Sequence, residues 1–279
     1  MRVLYNNIIK NATINPSTQA TGYEASVSLK DSRLARKWRS TGLDWQGFDI
    51  FDASSPSATY CVIAAHNLTS DAVANIYGST DALTWTLIAP VLPIRATNYL
   101  YDSAGDYLVD ETGDPCATYD YPSPLVVLRD TRIASFSSVG YPYYRVSVYD
   151  PLNPDGFYEI GHVYIGESLT LPSMAPDMEI PTTSTADVSS SLAGQRYGDS
   201  RVRLKTASIK APAITNDQKI DIETWFDTVD IIDPFWLLVW ESDLWAEMPI
   251  YCALTKDLKW KKDAVGTSWT LDFEFLEVR

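Results

Sequence analysis

The sequence predicts a mainly β protein in two units. A β-sandwich of jelly-roll type spans residues 1–172, and a smaller antiparallel β domain with one packed α-helix spans 196–279, with an extended linker at 173–195 between them. Three observations carry this. Two-residue alternation of apolar and polar side chains recurs through the first 170 or so positions, the period of a half-buried strand. Nine Trp and 17 Tyr enrich the chain in rings that suit sheet surfaces, while 16 Pro and 13 Gly break it into short runs. One stretch only, in the last third, has a clear helical period.

The elements follow in order. Ala58–Ala65 reads as a buried strand, and Val73–Gly78 and Thr84–Ile88 as two more. Pro124–Leu128 and Ile133–Phe136 continue the pattern, then Tyr144–Tyr149. Phe157–Gly166 is β-branched and aromatic, with Gly161 placed where a bend or a close approach is expected. Turn residues such as Ser79-Thr80-Asp81 and Asn153-Pro154-Asp155-Gly156 separate these runs. Serines, threonines and two prolines mark the linker. Beyond it, Arg201–Ile209 alternates like a strand. The helix is expected at 216–229, capped by Thr215 or Asn216, with Ile222, Trp225, Phe226 and Val229 on one face. Phe235–Trp240, Ile250–Leu254 and Trp269–Val278 read as three closing strands. In the last, Trp269, Leu271, Phe273 and Phe275 face one way, Asp272 and Glu274 the other.

Charge and composition exclude several function classes. The 279 residues carry 22 basic and 36 acidic side chains, a net charge of −14. Such a chain repels a phosphate backbone, so sequence-specific nucleic-acid binding is not expected. No apolar run approaches the roughly 20 residues of a membrane helix, and no secretory h-region opens the chain. Cys61, Cys116 and Cys252 are odd in number and far apart, which fits reduced thiols in a cytosolic chain rather than a disulfide framework.

Catalytic, cofactor and metal motifs are not found. His66 and His162 have no HxxxH or HExxH partner and read as satisfied strand-end imidazoles. There is no phosphate-binding glycine loop and no nucleophile elbow. The segment 102–120 gathers Asp102, Asp106, Asp110, Glu111, Asp114 and Asp120 without the spacing of a calcium loop, so it reads as a solvated insertion.

The N-terminal residues carry a resemblance. Asn11-Ala12-Thr13-Ile14, Tyr23–Asp31 and Lys37-Trp38-Arg39-Ser40-Thr41 resemble the opening of discoidin-like, galactose-binding-type β-sandwiches. Ala64–Leu68 with Ile76–Asp81, and Tyr144-Arg145-Val146 with Asp155–Gly166, look like the version found in bacteriophage tail proteins. The order of elements after residue 196 is similar to the tail-tube-like domain of tail-tip and distal tail proteins.

This resemblance implies a non-enzymatic structural component of a phage tail. It would assemble into a homo-oligomeric ring, sixfold by analogy, and connect the tail tube to the tip or fibres, with the tail tube and tail hub as partners. Its place would be the virion tail, assembled in the host cytoplasm, with no cofactor and no membrane insertion. The alternative reading is a carbohydrate- or host-receptor-binding module that works through the sandwich loops. For it, Trp38 and Trp45 are the candidate sugar-stacking platforms, Trp38 having a core position as its other reading. Trp240, Trp245 and Trp260 are candidate interface residues.

Overall fold

The computed structural model describes residues 1–69, 71–93, 131–171, 182–184, 188–190, 196–198, 203–238, 249–262 and 268–278. The fold class is mainly β, as expected, and the chain divides into two units. The first strand, β1 (Arg2–Leu4), lies outside the sandwich and belongs to the other unit. Among the described residues the sandwich therefore runs from Ile8 to Ile165, not from 1 to 172. Val3 and Leu4 are both fully buried, so this short strand needs cover on both faces.

The sandwich is built from β2 (Thr13–Pro16), a one-turn helix α1 (Ala25–Ser28), β3 (Trp38–Arg39), β4 (Gln46–Phe51), β5 (Ser57–Ala64) and β6 (Val73–Ser79). It continues with β7 (Thr86–Pro90), β8 (Leu92–Pro93), β9 (Thr131–Gly140), β10 (Tyr143–Tyr149), β11 (Glu159–Ile160) and β12 (His162–Gly166). One sheet has the order β2-β4-β10-β6-β7, the other β12-β5-β9-β8, and β11 pairs with β3. The β2–β4, β4–β10, β10–β6, β6–β7, β5–β9, β9–β8 and β3–β11 pairings are antiparallel.

The alternation read in the sequence is the alternation of burial. Phe48 and Ile50, Ala74 and Ile76, and Tyr144, Val146 and Val148 point from the five-stranded sheet into a core shared with Ala58, Cys61, Ile63, Val163 and Ile165 of the four-stranded sheet. Gly161 sits where β11 gives way to β12, and a Cβ there would lie 2.4 Å from the Leu34 carbonyl oxygen. The close approach expected at this glycine is thus present. The expected strand at Pro124–Leu128 lies outside the described residues. β2 and β4 were not foreseen.

The other unit continues with β13 (Ser168–Thr170), β14 (Thr182–Ser184), β15 (Val188–Ser190), β16 (Arg196–Gly198) and β17 (Arg203–Ile214). Helix α2 (Asn216–Val229), β18 (Phe235–Leu238), β19 (Pro249–Leu254), β20 (Lys259–Lys262) and β21 (Trp269–Glu277) complete it. An eight-stranded sheet runs β13-β1-β18-β19-β21-β17-β14, with β20 on β21. The segment expected as an extended linker is not bare: β14 pairs with β17, and β15 with β16. Threonine and valine favour extended pairing there, and β17 gives β14 a template.

Helix α2 has the predicted bounds. Thr215 accepts the Gln218 N–H, and the Gln218 side chain accepts the Thr215 N–H, a reciprocal cap. Ile222, Trp225 and Val229 are buried against Ile209, Phe235, Leu237, Leu271, Phe273 and Phe275, while Phe226 is only partly buried. Among the described residues no helix is long and apolar enough to cross a membrane.

Candidate functional site

The predicted tryptophans divide by burial. Trp38, one of the two expected platforms, is fully buried in the sandwich core. Its indole N–H donates to the Thr18 carbonyl at 2.9 Å, and its ring packs edge-on against Phe48 at 5.5 Å. No ring face is free for a sugar, so the platform expectation is corrected for Trp38 and its core alternative stands. The reason is its place on β3, where Trp38 pairs with the fully buried Ile160 of β11.

Trp45 is different. It is 50% exposed. Its ring stacks on Tyr149 with centroids 5.0 Å apart and planes 16° from parallel. The register makes this contact: Val148 of β10 faces Gln46 of β4, so the residues that precede one strand and end the other meet at the end of this ladder.

Trp240 and Trp245 lie outside the described residues. Trp260, on β20, stands edge-on to Trp269 at 6.4 Å, and the Lys219 ammonium is 5.1 Å from both ring centroids. Lys262 adds a second cation, 5.3 Å from the Trp269 ring. These cations hold the two indoles together within the unit.

The outward face of the five-stranded sheet brings together residues that the sequence reading did not single out. Tyr143, Arg145, Ser147 and Tyr149 are the outward positions of β10, because Tyr144, Val146 and Val148 are buried. Across the ladders, Arg145 lies between Asp49 and Tyr77, and Ser147 between Gly47 and Asn75. Arg145 makes a two-point pair with Asp49 and lies 3.9 Å from the Trp85 ring centroid. That pairing, before any other influence, raises the guanidinium pKa and fixes its charge. Asn75 donates to the Tyr77 hydroxyl at 3.3 Å. At the far end Tyr143 stacks on Phe51 at 4.7 Å. The signal was present in the sequence: four consecutive outward positions on one strand are all polar or amphipathic.

The chemistry-bearing groups elsewhere are engaged in structure. His66 is buried; its Nδ1 accepts the Leu68 N–H at 3.2 Å and its Nε2 has no hydrogen-bond partner, so it is only half satisfied. Burial pulls both imidazoles down to about 3. Neither is poised to exchange protons near neutrality. Arg132 is fully buried and donates to the Ala72 and Thr69 carbonyls at 2.8 and 2.6 Å. Beside it Asp150 accepts from Thr69 N–H and Oγ–H and from Asn153 Nδ2. Cys61 and Cys252 are buried, and burial raises both thiols. Among the described residues no group of three or more His, Cys, Asp or Glu side chains is arranged to hold a metal ion. The acidic segment 102–120 and Cys116 lie outside the described residues.

What this arrangement can do is bind. A half-exposed indole on a parallel phenol offers a flat apolar surface, hydroxyl and guanidinium groups lie along the same strand, and the Asn75 amide lies on the neighbouring one. Flat rings beside hydrogen-bonding groups suit a ligand with one apolar face and a polar edge.

No family model matches the chain, and no curated protein matches it. Solved structures similar to it include carbohydrate-binding modules and glycoside hydrolases. Chitosan-binding module 1 from a chitosanase/glucanase of Paenibacillus sp. IK-5 is 17% identical, with 58% of this chain and 98% of that chain covered and a TM-score of 0.39. CpGH89CBM32-5 from Clostridium perfringens, in complex with GalNAc-β-1,3-galactose, is 10% identical over 59% of this chain and 99% of that chain, with a TM-score of 0.38. The CBM32 of AlyQ, in complex with 4,5-unsaturated mannuronic acid, is 14% identical over 58% and 96%, with a TM-score of 0.35. At this level the likeness is coarse and assigns no ligand.

Proposed function

We propose that this protein binds carbohydrate through its β-sandwich, without turnover, and that Trp45 stacked on Tyr149 is the platform. The observation that carries this is the exposed, pre-stacked indole at the end of the β10–β4 ladder. A ring held in place before binding loses little side-chain entropy when a sugar docks on it. The reading is tested by a glycan array followed by calorimetry with the native chain and the Trp45→Ala variant. Binding lost in a variant whose thermal unfolding is unchanged supports the platform. Equal binding by both proteins removes it.

A second reading rests on the other unit. Ile220 of α2 is 61% exposed, and Ile231 and Ile232 just beyond the helix are 44% and 76% exposed. Apolar residues left on one helix and its exit are suited to contacts between copies. They fit the ring-forming phage tail component that the sequence resembles, placed in a virion and joined to the tail tube and hub. Such a component would carry the sugar-binding sandwich on a structural ring. Light scattering over a concentration series, with negative-stain images, tests this: closed rings of about six copies support it. A monomer at all concentrations leaves the carbohydrate reading as the sole one.

A further inference from the structure

Resting on the carbohydrate reading, we propose that the ligand is a linear, uncharged glycan that lies along β10, across the outward face of the five-stranded sheet. Trp45–Tyr149 would hold one end of it and Tyr143–Phe51 the other.

Two aromatic pairs mark the limits of this strip. Trp45 stacks on Tyr149 at the last residue of β10, and Phe51 stacks on Tyr143 at its first. The six steps between Tyr143 and Tyr149 span roughly 20 Å of extended chain. A single sugar is far shorter than that distance, so one residue cannot touch both pairs. A chain of several can. The stretch between the pairs is mixed: it presents the Arg145–Asp49 pair, whose side chains are 37% and 36% exposed, with the Trp85 ring 3.9 Å from the guanidinium. Hydroxyl-rich rings find the outer lone pairs and protons of this pair there, whereas an apolar peptide face would strip water from two charged groups and replace none of its hydrogen bonds.

The charge balance selects within glycans. Arg145 is the cation of β10, and Asp49 already takes both of its facing donors. A uronate or sulfate would have to displace that carboxylate, on a chain with a net charge of −14. A neutral chain keeps the pair intact and bonds to its outer lone pairs and protons. The length of the strip, roughly 20 Å along an extended strand, suits an extended β-1,4-linked backbone.

The test is calorimetric titration of the full chain with two ladders, β-1,4-linked glucose and β-1,4-linked N-acetylglucosamine, each from one sugar to six. A polygalacturonate ladder serves as the anionic control. The expected result is affinity that tightens with length and then levels off once both pairs are reached. Tyr143→Ala should weaken the six-sugar ligand about tenfold, the loss of one stacking contact, and leave the single sugar unchanged. Trp45→Ala should weaken every member. Equal affinity for one sugar and six, with Tyr143→Ala silent, overturns the strip and leaves a single-sugar site at Trp45. Preference for the anionic ladder overturns the neutral assignment. Binding by no ladder overturns the strip, with the glycan array deciding the platform separately, whereas a ladder that binds wild type and Trp45→Ala alike counts against the platform alone.

Discussion

Arg145 and Asp49 face each other across the β10–β4 ladder and close a two-point pair, Nε to Oδ1 at 2.5 Å and Nη2 to Oδ2 at 2.8 Å. The geometry is that of a strong pair, but both side chains are just over one third exposed. Water screens a pair this open, so its net contribution to stability is under about 1 kcal/mol. Asp49→Asn keeps one acceptor and frees a positive charge on the outward face. We expect a loss of less than about 1 kcal/mol in urea denaturation, shrinking further in high salt. A loss of about 3 kcal/mol, insensitive to salt, would show that the pair behaves as a buried one.

His66 and His162 give the fold a distinct acid response. Burial holds both imidazoles down to about 3, with Arg132 and Lys37 adding to the effect at His66 and Lys10 at His162. An unfolded histidine titrates near 6.5. Above that pH neither state is charged, and the histidines add no pH dependence. As pH falls below about 6.5 the unfolded chain takes up protons that the folded chain refuses, and stability drops by about 1.4 kcal/mol per pH unit for each histidine. Asp31, held down by hydrogen bonds from Arg33, and Asp81, held down by the Thr84 and Leu83 N–H groups, add their own losses only below about pH 4. The window from about pH 6.5 to 4.5 thus belongs to the histidines. His66→Asn keeps an acceptor for the Leu68 N–H and should roughly halve the slope. Denaturant midpoints that stay level across that window would contradict the burial of both rings.

How far the sequence led depends on whether a feature is local. β6, β10 and β21 were legible because their inward positions, such as Ala74 and Ile76 or Leu271, Phe273 and Phe275, alternate strictly. α2 was legible because period and cap agree. β1 was not, since its three residues take their meaning from Ser168–Thr170 and Phe235–Leu238, far along the chain. The site divides in the same way. Trp38 and Trp45 look alike in sequence, but one sits on a strand facing Ile160 and the other at the open end of a ladder. The partner of Trp45 depends on the register of β10 against β4, which no local pattern encodes.

The cap of α2 gives a local test. Thr215 accepts the Gln218 N–H at 3.2 Å, and the Gln218 side chain accepts the Thr215 N–H at 3.0 Å. Thr215→Ala removes one of these bonds and the preference for the cap conformation, at a cost of about 1 kcal/mol, while Thr215→Ser should cost only a few tenths. Melting of the two variants side by side separates the hydroxyl from the lost methyl. Equal losses in both would mean that the hydroxyl contributes nothing.

Trp225 and Phe226 share a helical face in projection, but the structure separates them. Trp225 is fully buried, edge-on to Phe235 at 5.1 Å and to Phe273 at 6.0 Å, while Phe226 is only partly covered. Trp225→Ala should therefore cost about 3–5 kcal/mol, the range for a large core ring. Phe226→Ala should cost about 1–2 kcal/mol, in proportion to the smaller area it hides. The indole N–H of Trp225 has no hydrogen-bond partner, a burden of about 1–3 kcal/mol in a buried group. Trp225→Phe removes that burden along with some volume, so the two effects oppose and the net loss should stay within about 1.5 kcal/mol. Urea denaturation of the three variants, followed by far-ultraviolet circular dichroism, gives the order directly. Equal losses in Trp225→Ala and Phe226→Ala would mean that α2 turns its face midway between the two rings. A Trp225→Phe variant as unstable as Trp225→Ala would mean that the indole nitrogen is bonded in solution.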